Sequence, residues 1–140
     1  MTAFCFSRVS SKWSLVALVV LLFQSCEIPP EVRVQPTNPP TFIFSSGTRV
    51  DMLLVYHLSH DQPDKGVFLD AVLEDKPNIF WMVEGNHDQR LPINYGIVPK
   101  SMKETVPAKA LIEGEYYLVL VGSLANTRFT IRDGVAQPLK

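Results

Sequence analysis

The chain has 140 residues, 46% of them hydrophobic, and a formal net charge of −1 when its histidines are neutral. That length suits one domain of common size preceded by a terminal segment. Because no block of basic residues occurs, the electrostatic footprint of a nucleic-acid-binding protein is absent, and no nucleic-acid partner is predicted.

Residues 1–25 have the pattern of a signal peptide. Arg8 and Lys12 supply its positive charge, and only Ser14 interrupts an apolar run over residues 13–23. At about 1.5 Å per residue, this run covers about half of a ~30 Å hydrocarbon core, which is short for a membrane span. Its length is typical of the apolar region of an export signal.

The apolar run is followed by Gln24, Ser25 and Cys26. This ending resembles the lipobox of bacterial lipoprotein signals, in which a small residue precedes the cysteine that receives a diacylglyceryl group. Phe23 stands where that family usually has leucine. The resemblance implies cleavage before Cys26, a lipid on that cysteine, and a membrane as partner. An ordinary secretory signal cleaved nearby and an uncleaved anchor are the alternatives.

The cysteine count agrees with lipid attachment. The chain has two cysteines, Cys5 and Cys26, and the predicted cleavage would remove Cys5. A single remaining thiol in an exported protein needs an explanation, which a lipid supplies. In Gram-negative lipoproteins, an aspartate after the lipidated cysteine favours retention in the inner membrane. Since Glu27 stands there instead, the resemblance implies a lipoprotein of the outer membrane that faces the periplasm.

Residues 26–40 are predicted to be a linker that begins at the lipidated cysteine. Five prolines fall in this segment. Proline favours extended polyproline geometry at about 3.1 Å per residue, so the linker could hold the domain up to about 40 Å from the lipid. The alternative is that Val32 and Val34 form an edge strand of the domain.

Residues 41–140 are predicted to form an all-β domain. Short runs of β-branched and aromatic residues, separated by Pro, Gly, Asn and Asp, predict strands at residues 41–45, 52–58, 78–84, 93–95, 115–122 and 128–133. Residues 67–75 fit either a short helix or a further strand. Six or seven short strands in one domain are typical of a β-sandwich.

One local pattern specifies the kind of sandwich. The spacing of Leu111, Gly114 and Tyr117 resembles the tyrosine corner of fibronectin type III and related immunoglobulin-like domains. The resemblance implies an immunoglobulin-like antiparallel β-sandwich, a tyrosine hydroxyl bonded to nearby backbone, and Trp81 as the core tryptophan of a central strand. A generic strand that contains a tyrosine is the alternative. This fold hosts many unrelated functions, so no activity follows from it.

The residues 85–88 have the sequence Gly-Asn-His-Asp, which matches a string of calcineurin-like metallophosphatases. That family also requires an Asp-x-His and later histidines, which this sequence lacks, so the string is interpreted as a turn after a strand. A metal-dependent enzyme or metal-binding domain built on His57, His60, Asp61 and His87 is an alternative, and it requires these side chains to converge. No metal, cofactor or catalytic residue is predicted.

Strand alternation predicts an apolar outer face on one sheet. In the fibronectin-like arrangement, the strands at residues 78–84, 115–122 and 128–133 are neighbours, with Trp81 and Tyr117 directed into the core. A solvated opposite face should be polar, yet here it is apolar with arginines at its rim. Its predicted members, the candidate partner-binding residues, are Phe80, Met82, Tyr116, Leu118, Leu120, Arg128 and Arg132.

An apolar face of this kind is covered either by the chain or by a partner. The long segment 86–109 is the expected internal cover, and the alternatives are an envelope protein, a second copy of the chain or a small apolar ligand. The sequence therefore predicts a membrane-anchored, non-enzymatic module that binds another envelope protein or itself. A purely structural envelope lipoprotein is a further alternative.

Overall fold

The computed structural model describes residues 29–61, 69–122 and 125–140. In these ranges one short helix, α1 (Leu69–Glu74), and a 3-10 turn (Lys76–Asn78) accompany nine strands, so the all-β prediction is confirmed. Each of the six predicted strand segments contains a strand. The strands are β1 (Val32–Gln35), β2 (Thr41–Phe44), β3 (Val50–Leu58), β4 (Ile79–His87), β5 (Ile93–Asn94), β6 (Met102–Val106), β7 (Tyr116–Val121), β8 (Ala125–Arg132) and β9 (Val135–Pro138).

The described strands form two antiparallel sheets that pack together as a sandwich, as predicted. The small sheet has the order β1-β2-β5, and the large sheet has the order β6-β4-β3-β7-β8-β9. Their shared core is rich in aromatic residues, which bury large apolar areas. Its largest fully buried side chains are Trp81, Tyr117, Phe42 and Phe129.

The order of strands in the large sheet differs from the predicted one. Strand β3 lies between β4 and β7, because Val55 pairs with Trp81 on one side and with Val119 on the other. The expectation that the strands at residues 78–84 and 115–122 are direct neighbours is therefore wrong. Strands β3 and β4 are consecutive and antiparallel, and their connection contains α1 and the 3-10 turn.

The proline-rich segment is largely part of the domain. Strand β1 pairs with β2 through Val32↔Phe44 and Val34↔Phe42, and both valines are buried. The predicted linker through residue 40 is therefore wrong from β1 onwards, and the edge-strand alternative is confirmed. The two valines are separated by one residue, so a strand directs both into the core, while the prolines 36, 39 and 40 occupy the connection to β2.

The large sheet is apolar on both faces. On the face away from the small sheet, buried side chains of β3, β4 and β7 form a second cluster with Val72 of α1. Helix α1 is therefore the cover of this outer face, and the expectation that residues 86–109 cover it is wrong. The cluster contains Leu54, Leu58, Val72, Ile79, Met82, Leu118 and Leu120.

A β-bulge changes the predicted alternation of β4. Val55 and Tyr56 are adjacent in β3, but their partners Trp81 and Ile79 are separated by Phe80. The extra residue turns Ile79 onto the outer face and Phe80 into the shared core. The prediction that Phe80 lies on the outer face is therefore wrong.

The predicted signal peptide and Cys26 lie outside the described residues. Cleavage, lipid attachment and export therefore stay predictions. Of the helices in the described ranges, none is long and apolar enough to cross a membrane.

Candidate functional site

The tyrosine corner has the geometry that the spacing predicted. The hydroxyl of the fully buried Tyr117 accepts a hydrogen bond from the backbone N–H of Ile112 at 2.9 Å, and burial raises the pKa of Tyr117. Gly114 has a φ of 81°, a left-handed conformation that suits glycine, and Leu111 packs against the core. Trp81 is fully buried, and its indole N–H donates to Glu104 at 2.9 Å. All four residues therefore hold the fold together.

The predicted partner-binding face is not an open surface. Met82, Leu118 and Leu120 are buried in the cluster that α1 covers, and Tyr116 is half-buried against it. The buried Met82, Leu118 and Leu120 cannot contact a partner unless the helix moves away.

The two arginines predicted at the rim of that face differ in their surroundings. Arg128 donates to the carboxylate of Asp61 and to the backbone carbonyl of Lys140, so it links two peripheral segments of the chain. Arg132 is exposed at the end of β8. They do not frame an open apolar patch.

The histidines do not converge on one site. The Nε2 atom of His57 lies 2.8 Å from a carboxylate oxygen of Glu115, and its ring packs against those of Phe80 and Tyr117. His87 pairs with Val50, seven residues from His57 along β3, which separates the two histidines by about 23 Å.

His60 interacts with the neighbouring Ser59 at 3.0 Å. No group of three potential metal-ligating side chains occurs within residues 29–61, 69–122 and 125–140. The convergence that the metal alternative requires is therefore not found there.

The Gly-Asn-His-Asp string has a structural explanation. Strand β4 continues through His87, so the turn begins only at Asp88, later than predicted. Gly85 has a φ of 150°, and a Cβ atom there would lie 2.8 Å from the Cα atom of Met102, so glycine lets β6 approach β4. Asp88 accepts hydrogen bonds from the backbone and side chain of Arg90, which lower its pKa to about 2.

Sequence reasoning missed an apolar groove formed by residues 86–101. This groove, called the 86–101 groove below, has a volume of about 530 Å³ and is lined by Leu91, Pro92, Ile97 and Pro99 together with polar side chains such as His87. Leu91 is 55% exposed and Ile97 is 58% exposed. The sequence signal for the groove is a segment that combines prolines with large apolar residues. Because proline lacks the backbone N–H that a strand ladder needs, such a segment is excluded from the interior of a sheet, which leaves apolar side chains exposed.

The 86–101 groove lies at the end of the sandwich where the described chain begins. The carbonyl of Pro29 accepts a hydrogen bond from Ser45, and the backbone N–H of Glu31 donates to Ser45 and Thr48. Gln89, in the loop next to the groove, donates to the backbone carbonyl of Ser46. One loop, residues 45–48, thus holds the beginning of the domain and contacts the segment that forms the groove. This end is called the entry end below.

Comparisons with known proteins add no further assignment. No protein-family model matches the chain, and neither a curated protein nor a solved structure shows significant similarity to it.

Proposed function

We propose that the chain is a lipoprotein of the bacterial cell envelope, anchored by lipid on Cys26, and that its β-sandwich is a non-enzymatic interaction module. The observation that carries this proposal is the 86–101 groove, an exposed apolar surface next to the point where the described chain begins. Exposed apolar patches of this kind are typical of contact sites in soluble domains. We therefore place the binding surface at the entry end, and not on the outer face under α1 that the sequence predicted.

Polar pairs within the sandwich support an interaction module rather than an enzyme. His57 pairs with Glu115, Trp81 donates to Glu104, and Tyr56 donates to Asp75 at 2.6 Å. Each of these contacts joins two different segments of the sandwich. These groups are therefore used for stability, which leaves the apolar groove as the better candidate for recognition.

The lipid anchor is tested by labelling cells with a palmitate analogue and by mass spectrometry of the mature amino terminus. Wild-type protein and the matched control Cys5→Ser are expected to carry the label and to begin at residue 26. Cys26→Ser should lose the label and leave the outer-membrane fraction. Equal labelling of Cys26→Ser, or a mature amino terminus elsewhere, would show that the chain is not a lipoprotein of this type.

The interaction role is tested by placing a photo-cross-linking amino acid at position 97 or 112 in intact cells. Ile97 is 58% exposed in the groove and Ile112 is 51% exposed at the opposite end, so the two positions are matched in exposure. Cross-linked products are expected from position 97 and not from position 112. If both positions give the same products, the groove is not a contact site, even where Cys26 is lipidated.

A further inference from the structure

We propose that the occupant of the 86–101 groove is the lipid surface that carries the anchor, so that the domain rests on the membrane with its entry end. This inference names the partner of the proposed contact site and rests on the proposed lipidation of Cys26. It commits to a lipid surface, and a protein in the groove is an outcome that would overturn it.

The chain between the proposed lipid and the domain is short. Pro29 and Glu31 are already held by Ser45 and Thr48, so the domain begins three residues after Cys26. A chain extends by at most about 3.6 Å per residue, which places Pro29 within about 11 Å of Cys26. The linker of about 40 Å that the sequence suggested is thus replaced by one that barely exceeds the thickness of a lipid headgroup layer.

This short reach imposes an orientation on the domain. Strand β3 runs from the entry end at Val50 to the opposite end at Leu58, a length of about 26 Å. The anchor therefore brings the entry end to the membrane and leaves the opposite end, with the corner at Gly114, in solvent. The groove shares the entry end with Pro29 through the loop at residues 45–48.

The 86–101 groove combines exposed apolar side chains with polar ones at its rim. Leu91 and Ile97 are more than half exposed, and the rigid prolines at 92 and 99 lie beside them. An amphipathic helix at a membrane surface buries its apolar face by about 5–10 Å, at the boundary between headgroups and acyl chains, and we expect a similar depth for these side chains. Side chains at the rim, among them Lys100 and His87, can contact headgroups while the apolar ones lie deeper.

The charges at the entry end suit contact with anionic headgroups. At the entry end, acidic side chains are joined to arginines, as in the pairs Asp88–Arg90 at 2.7 Å and Asp51–Arg49 at 3.0 Å. At the opposite end, Glu113 is exposed and accepts hydrogen bonds from the backbone of Asp133, another exposed acid. The opposite end also has an ion pair, Asp61–Arg128, and the exposed Arg132. Anionic headgroups therefore meet paired acids at the entry end.

The test uses the full lipidated protein in vesicles of phosphatidylethanolamine and phosphatidylglycerol. Lipidation blocks the thiol of Cys26, so Leu91→Cys or the control Ile112→Cys supplies a single site for an environment-sensitive fluorophore. Because both positions are exposed, neither substitution removes a core contact. Brominated lipids are expected to quench about half of the fluorescence at position 91, since the insertion depth is about 5–10 Å, and almost none at position 112.

Two outcomes would overturn the inference. Equal, weak quenching at both positions would show that the domain does not rest on the lipid surface. Shielding of position 91 in native envelopes but not in pure lipid vesicles would show that a protein occupies the groove. The mass of the same samples reports lipidation separately, so an unlipidated Cys26 refutes the proposed function and not only the docking.

Discussion

At the scale of single residues, the corner around Tyr117 shows how one hydroxyl group specifies a turn. The ring is fully buried between Phe80, His57 and Phe129, while the oxygen reaches the N–H of Ile112 outside the core. A tyrosine satisfies both demands because its body is apolar and its tip is polar. The sequence spacing therefore predicted a contact that the structure contains.

Removal of this hydroxyl gives a direct stability prediction. Tyr117→Phe keeps the ring packing but leaves the N–H of Ile112 without its acceptor, so the free energy of unfolding should fall by about 1 kcal/mol. Tyr116→Phe is the control, because its hydroxyl makes no hydrogen bond with the described residues. Urea unfolding measures both variants, and equal stability losses would contradict a special role for the corner.

A second residue-scale prediction concerns pH. Hydrogen bonds from Asn78 and then Tyr56 lower the pKa of Asp75, and burial raises the pKa of Tyr56 to about 12, so Tyr56 remains a donor at neutral pH. Because the pKa of Asp75 is lower in the folded protein, its ionised form stabilises the fold at pH values above the ordinary carboxyl pKa of 3.8. This stability is lost as the pH falls through the lowered pKa.

The expected outcome is a loss of thermal stability in wild-type protein between pH 5 and more acidic conditions, with a smaller loss in Asp75→Asn. Asp70→Asn, at an exposed position of helix α1 shortly before Asp75, serves as control and should follow the wild type. Melting temperatures over this pH range are the measurement. A parallel decline in wild type and Asp75→Asn would exclude Asp75 as a source of the dependence.

At the scale of elements, a helix of six residues decides whether the large sheet has an open apolar face. Helix α1 carries Val72, which is 2% exposed, and the flanking Leu69 and Leu73 pack against the same cluster. The alternation of apolar and polar residues cannot reveal this cover, because the strands of a sheet that is buried on both faces are apolar on both sides. The short run at residues 67–75 left helix and strand equally open.

Substitution of Val72 tests the covering role of α1. Val72→Ala removes two buried methyl groups and should lower the free energy of unfolding by about 2 kcal/mol, with increased binding of an apolar dye as the outer cluster becomes accessible. Glu74→Ala, at an exposed position of the helix, should change neither property. Unchanged stability in Val72→Ala would mean that the helix contributes little to the cover.

Strand β1 gives a second prediction at this scale. A chain that begins at residue 41 lacks the buried Val32 and Val34, each worth about 1.5–3 kcal/mol, which together approach the whole stability of a small domain. We expect the 29–140 fragment to unfold cooperatively and the 41–140 fragment to be largely unfolded. Circular dichroism on heating distinguishes them, and equal melting temperatures would show that β1 is dispensable.

At the scale of the whole molecule, the distance between the proposed lipid and the domain controls which surface meets the membrane. Insertion of eight Gly and Ser residues between positions 28 and 29 adds about 15 Å of flexible reach. Lipid quenching of a fluorophore at position 91 should then fall by about half, while lipidation of Cys26 is unchanged. Undiminished quenching would show that the short linker does not orient the domain.

The sequence by itself determined the strand-forming character of most segments, the tyrosine corner and the core role of Trp81. These depend on local composition and spacing, which one chain displays directly. The sequence also contains the pair Asp133-Gly134, which is typical of a hairpin turn. Both residues have positive φ and connect β8 to β9, a strand that the sequence analysis did not predict.

Only the tertiary structure decided that β3 separates β4 from β7, that the bulge at Phe80 reverses the faces of β4, and that α1 covers the outer face. Each of these depends on which segments meet although they are far apart in the chain. The hydrophobic periodicity of a segment does not identify the partner with which it packs. For the same reason, strand alternation predicts a contact surface on the apolar outer face, whereas the exposed apolar residues Leu91 and Ile97 lie in the 86–101 groove at the entry end.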